Sequence, residues 1–288
     1  ELTDRNPLPD GLGQIYFMPL NMAPVDQMIE RDPESLPAPQ RMLPSRRSRQ
    51  REERSLALRR RLREAHRAAF VDGGRRFTRP EVQALRRAIK RAMDHGDPVA
   101  SLNDWINEYY PNHQRTVYRV MRPLVEALAA VVADAAFDEV AADPQDVSEF
   151  AHAYTENLAR REVARSISEL RSMMDETAAD ELDNVLLARA DEWEETRPDS
   201  FASREIVRVA SGAARWAWQT AGVAGFIWRA NAEACPLCKE LDGRRVPSKA
   251  YFLNDGDSVG SGTDTLIVEG PIGGPPLHDG CQCDLVPD

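Results

Sequence analysis

Cys235-Pro236-Leu237-Cys238, answered later by Pro275-Pro276-Leu277-His278-Asp279-Gly280-Cys281-Gln282-Cys283, contains all four cysteines of this 288-residue chain. A random scatter would rarely give two such tight pairs. Two pairs joined by a loop are how a chain builds a small metal-clipped knuckle. Thiolates are good zinc ligands, and a structural site takes four ligands in a tetrahedron. Cys235 and Cys238 lie in a turn that can hand two sulfurs to one ion. Cys281 and Cys283 can supply two more, or His278 can replace one of them, so five candidates compete for four places. The donor chemistry favours zinc over magnesium or calcium.

The segment between the pairs, 239–274, is rich in Gly, Asp and Ser, with one clear apolar run, Thr265-Leu266-Ile267-Val268. That is too little for a core of its own, so a metal or a neighbouring surface must help it fold. Unliganded reduced thiols, two disulfides and a Cys-x-x-Cys redox pair stand behind metal binding, in that order. The redox pair comes last because no βαβ pattern surrounds it.

Upstream of the cysteines the pattern turns helical. The spacing predicts a helix from about Glu52, then one opened by Thr78-Arg79-Pro80-Glu81, with Thr78 as N-cap, running to Met93 and stopped by Gly96 and Pro98. Leu102, Trp105, Ile106 and Tyr109 mark one face of a short helix. Long helices are predicted over 113–140, with Pro123 a kink, and over 147–174; further ones run over 177–193 and, past Pro198-Asp199, over 203–221. The predicted fold is therefore mainly α, an extended helical region followed by a small α+β knuckle. A short strand at Gln14–Leu20, flanked by Gly and Pro turn signals, opens the chain.

Charge divides the chain further. It carries a net charge of -10, which argues against general nucleic-acid binding by the whole molecule. Yet 41–67, after a Pro-rich linker, is dominated by arginine, including Arg46, Arg47, Arg49, Arg59, Arg60, Arg61 and Arg63. These residues are expected to contact either DNA phosphates or an acidic partner; without interleaved aromatics, base stacking has no support. No run approaches the length of a membrane span, and few, clustered thiols suit a reducing compartment. A search for catalytic groups finds scattered histidines, no nucleophile elbow and no phosphate cradle. Glu205 and Arg208, three apart on one helix face, are read as an intrahelical pair beside the knuckle.

Arg204-Glu205-Ile206-Val207-Arg208 with Gly212, then Ala221-Gly222-Val223, Trp228, Cys235-Pro-Leu-Cys238, Leu241-Asp242-Gly243 and the closing Pro275–Cys283 phrase together resemble the head morphogenesis (Mu F-like) minor capsid proteins of tailed bacteriophages. The likeness covers about 146–288 and is strongest from Arg204. Family members often have a basic residue between the last two cysteines; here it is Gln282, which weakens any expectation that this turn grips phosphate. Independently, 6–25, with Met18-Pro-Leu-Asn-Met-Ala-Pro24, resembles the carboxy-terminal end of a phage portal protein. The absence of an initiating Met suggests a fragment or processed product of a portal–minor-head fusion.

These resemblances imply a portal-like segment at 1–30, a linker at 31–50, a helical region at 51–145 and a head morphogenesis domain at 146–288 with its knuckle at 230–288. They also imply a non-enzymatic minor head protein acting in capsid assembly or in genome packaging and delivery. Its partners would be the portal ring, a scaffold or major capsid protein, with weak nucleic-acid contact and no membrane. It would reside in the virion head, and in the host cytoplasm during assembly. The competing expectation is a metal-dependent hydrolase or nuclease using the Cys/His cluster, with Glu240, Asp242 or Asp279 as base.

Overall fold

A computed structural model describes residues 46–94, 96–260 and 265–288, with backbone alone for 46–48. The portal-like strand and most of the linker lie outside the described residues. The chain divides into two units, Glu1–Arg49 and Gln50–Asp288. The second unit is mainly helical with a small carboxy-terminal sheet region, as the pattern predicts.

Four long helices come first: α1 (Arg46–Met93), α2 (Pro98–Glu139), α3 (Ser148–Glu176) and α4 (Leu182–Thr220). Several predicted breaks are absent. Helix α1 runs unbroken through Thr78 and Pro80. Thr78 is no N-cap: it is buried at 1% exposure inside the helix. The short Leu102–Tyr109 helix is continuous with the next, and α2 contains both Pro111 and Pro123. Likewise, the segments before and after Pro198 form one helix. A proline inside a helix costs roughly 3 kcal/mol; here each lies in a long helix with many buried apolar residues. The break between α1 and α2 is as expected. Asp97 caps α2 by accepting from the Ala100 N–H at 3.0 Å, and Pro98 occupies the first helical position.

Two adjacent glycines show why α1 stays whole. A Cβ on Gly73 would meet Leu124 Cδ1 at 2.7 Å, and one on Gly74 would meet Pro198 Cα at 3.1 Å. They are contact points where α2 and α4 approach the α1 backbone, not breaks in it. The apolar faces build two clusters. One gathers the carboxy-terminal part of α1 with the start of α2, the end of α3 and the start of α4. The other joins the remaining helical faces to the knuckle through Trp218, Phe226, Trp228 and Phe252.

The knuckle follows as β1 (Gly225–Arg229), α5 (Pro236–Glu240), β2 (Arg245–Pro247), β3 (Ser258–Val259), β4 (Leu266–Ile267) and β5 (Asp284–Pro287). Strand β1 is the middle of a three-stranded antiparallel sheet, with β2 on one side and β5 on the other. Its residues are buried almost throughout, as a central strand's should be. Strands β3 and β4 form a separate two-stranded ladder.

Candidate metal centre

The two cysteine pairs converge. Cys235 is the residue before α5, and Pro236 starts the helix, so the Cys-x-x-Cys turn is held at a helix start with Lys239 N–H donating to the Cys235 carbonyl at 3.0 Å. Across from it, His278–Cys281 forms a tight turn closed by the Cys281 N–H on the His278 carbonyl at 3.2 Å. Gly280 has φ +80°, a conformation that a side chain would resist. This turn aims a ring nitrogen and a sulfur at the first pair.

Cys235 Sγ lies 3.0 Å and Cys238 Sγ 3.2 Å from His278 Nε2, and Cys238 Sγ lies 3.6 Å from Cys281 Sγ. The donors fall into two overlapping triads, Cys235–Cys238–His278 and Cys238–Cys281–Cys283, each with its ligand atoms within 4.8 Å of one another. Cys238 belongs to both. Tetrahedral zinc places paired sulfurs about 3.8 Å apart and a sulfur–nitrogen pair about 3.5 Å apart, so the observed spacings are close to that frame and slightly tighter. All five sequence candidates are thus brought together at a site that can hold a metal ion.

The electrostatics suit a cation. His278 Nδ1 lies 2.8 Å from the Asp279 carbonyl. A carbonyl only accepts, so Nδ1 carries the hydrogen and Nε2 faces the sulfurs, the arrangement in which a histidine ligates metal. The hydrogen bonds from Cys238 and Cys283 hold the Cys281 thiol far below its usual range, while the hydrogen bond to Cys281 pushes Cys238 up. Burial raises Cys235 and lowers His278, but in both it is outweighed. The Cys238 backbone and thiol and His278 bring Cys235 down; the Asp279 carbonyl and Cys235 bring His278 up. A bound ion would replace these shared protons, since ligating thiols must be deprotonated. The four cysteines are free thiols, and Cys238, Cys281 and Cys283 are buried.

The acids expected as a hydrolytic base are all engaged elsewhere. Asp242 accepts from the Ala230 N–H at 2.9 Å, and Glu240 accepts from the Gly260 N–H at 2.9 Å. The Asp279 carboxylate faces Arg204 at 3.6 Å and Arg165 at 3.9 Å.

The arginine run divides into two roles. Arg59 and Arg63 are buried, at 2% and 4% exposure, which removes them from the expected contact surface. Arg63 forks onto both Asp284 carboxylate oxygens at 2.9 and 3.2 Å. Arg59 donates to the Leu285 carbonyl at 2.7 Å, meets Glu139 at 2.5 Å and lies over the Trp218 ring at 5.2 Å. Both side chains stand on the inward face of α1, where buried guanidinium groups need acidic partners, and they fasten that helix to β5. Burial pushes the Asp284 carboxyl up against the pull of Arg63, Arg59 and Arg60. Arg49, Arg60 and Arg61 are exposed. Arg46 and Arg47 begin α1, and their side chains lie outside the described residues.

One feature escaped the sequence reading, a buried ladder of charges through all four helices. His113 Nε2 meets Glu81 at 3.2 Å; Glu81 meets Arg197 at 3.2 Å; Arg197 meets Glu162 at 2.9 Å; Glu162 meets Arg204 at 3.1 Å. Arg204 then reaches Asp279, beside the metal ligands. The expected Glu205–Arg208 pair is present and belongs to a larger group: Arg161 at 3.1 Å, Arg204 at 3.3 Å and the Tyr154 hydroxyl at 3.0 Å also converge on Glu205. Burial pushes Glu81 up, but Arg197 and His113 outweigh it and hold the carboxyl at about 2. Glu205 is likewise lowered, burial being outweighed by Arg208, Arg161 and Arg204.

No family model matches the chain, and no curated protein and no solved structure matches it.

Proposed function

We propose that this protein is a structural component of a tailed-phage head, a minor head protein at the portal vertex whose carboxy-terminal knuckle is clipped by zinc. The convergence of Cys235, Cys238, His278, Cys281 and Cys283 carries this reading, because the phrases that resemble the head morphogenesis proteins are the ones that build the site. A thiolate-rich cluster can complete its own tetrahedron, as a structural zinc does. Glu240, Asp242 and Asp279 are held by other groups, which favours a scaffold over a hydrolase. The protein would act by contact: the knuckle and helices as a rigid body, the exposed arginines of α1 toward DNA or an acidic head component.

The test is co-assembly. Purified chain, checked for zinc by elemental analysis, is mixed with portal rings and scaffold of a tailed phage carrying such a head protein. Stable co-migration with the rings is the expected result. Metal-dependent DNA cleavage lost in Cys238→Ser would replace this reading with the nuclease.

A further inference from the structure

Beside the metal centre, a cleft of about 390 Å³ opens between α3, α4 and the Pro271–Pro276 loop. Its charged lining is arginine: Arg161 from α3, which lies over the Tyr154 ring, and Arg208 and Arg215 from α4, with Ser211 beside them. We infer that this cleft is an oxyanion site that takes a phosphate group. The inference is independent of the phage-head reading and concerns a different surface from the basic face of α1.

Charge balance is the first argument. Glu205 is the carboxylate at the base of these arginines, and it is shared by Arg161, Arg204 and Arg208. Arg204 is balanced by Glu162. One negative charge therefore faces two remaining guanidinium groups before Arg215 is counted. Among the described residues no carboxylate lies within salt-bridge distance of Arg215. It donates to the carbonyls of Ser248 at 3.1 Å, Ala250 at 2.7 Å and Gly273. These carbonyls, with the Phe226 and Tyr251 rings at 5.1 and 5.9 Å, hold the guanidinium in place but leave its positive charge without a counter-charge. The burial that depresses Arg215 points the same way.

Shape is the second argument. Gly273 approaches the Arg215 guanidinium so closely that any Cβ there would collide with it. The loop thus runs close against the cation, and its Gly273 carbonyl accepts from it. Arg161 and Arg208 line the cleft and keep side-chain exposures of 43% and 34%, so each has guanidinium surface open to a solute. Planar forks of this kind recognise phosphate oxygens in pairs. By contrast, the cavity at Arg60, Arg63 and Arg67 also carries Glu64 and Glu233, and Asp284 already takes Arg63, so its charges are largely matched.

The test is calorimetric titration of the full chain with inorganic phosphate at low ionic strength, repeated in the presence of a short oligothymidylate. Saturable phosphate binding is expected, weakened about tenfold or more in Arg161→Gln and in Arg208→Gln, the loss of one charge-assisted hydrogen bond. Arg161→Lys should retain part of it, and Lys90→Gln on exposed α1 surface should change nothing. Glu205 keeps two arginines in either Gln variant, and a circular dichroism melt checks that the fold is retained. Displacement by the oligonucleotide supports the site with a phosphodiester as its natural occupant. Phosphate binding that the oligonucleotide does not displace supports it with a free phosphate group. No saturable binding, or binding equal in the parent, Arg161→Gln and Arg208→Gln, overturns it.

Discussion

Cys238 is the residue on which both donor triads depend. Cys238→Ser should therefore release metal more completely than Cys235→Ser or Cys283→Ser, each of which leaves one triad intact. The expected readout is bound zinc per chain, with the knuckle's amide protection falling in parallel while α2 to α4 stay folded. Zinc binding is coupled to folding at on the order of 10 kcal/mol in small fingers, so the loss should be large. His278→Ala separates the ligand sets: retained zinc means four thiolates, and lost zinc means that His278 is a ligand. The convergence of these residues was legible in their spacing. The choice among the five was not, because spacing along a chain carries no angles.

Glu81 offers a second residue-scale prediction. Its folded pKa, about 2, lies below the ordinary carboxylate value. The sign follows: the stability it contributes is fully present above the unfolded pKa and is lost as pH falls through the window from about 5 to 2. Arg197→Ala, which leaves buried Glu81 with only His113 and the Tyr110 hydroxyl and Glu162 with only Arg204, should cost about 3 kcal/mol at neutral pH. Urea denaturation measures it, and the penalty should shrink in acid as Glu81 protonates. None of this ladder could be read from the sequence, since Glu81 and Arg197 are 116 residues apart. Periodicity sees neighbours three or four positions away; it found Glu205–Arg208 and nothing beyond.

At the scale of elements, helix type was legible and helix ends were not. Thr78-Arg79-Pro80-Glu81 has the local chemistry of a helix start, but Thr78 and Glu81 are both buried among neighbouring helices. Tertiary burial overrode the capping signal. The glycines before it, Gly73 and Gly74, serve as a crossing point for α2 and α4. Gly74→Val should accordingly destabilise by about 1–3 kcal/mol, because the added atoms meet the α4 backbone at Pro198 rather than a movable side chain. A thermal melt followed at the helical band tests this, with Gly96→Ala, which meets nothing within 4 Å, as the control.

Across the folded unit, the basic helix and the knuckle are one construction. Arg59 and Arg63 tie α1 to Glu139 and to β5, whose Asp284 directly follows Cys283. Removing metal with a chelator should therefore loosen the α1 turns around Arg59 along with the knuckle, and hydrogen exchange over 50–67 should rise. Unchanged exchange there would mean that the ion pairs hold β5 without the metal. Among the described residues no helix is long and apolar enough to cross a membrane.

The fork of Arg63 on Asp284 joins residues 221 positions apart. During synthesis at ordinary ribosomal speed, α1 would emerge on the order of tens of seconds before its acidic partner exists. Through that interval Arg63 has no Asp284 to meet and Arg59 no Leu285 carbonyl, and this face of α1 has no β5 to cover it. The nascent protein would be a helical body with an open basic flank, exposed to chaperones and to any polyanion nearby, and closed only when Asp284 and Leu285 leave the tunnel.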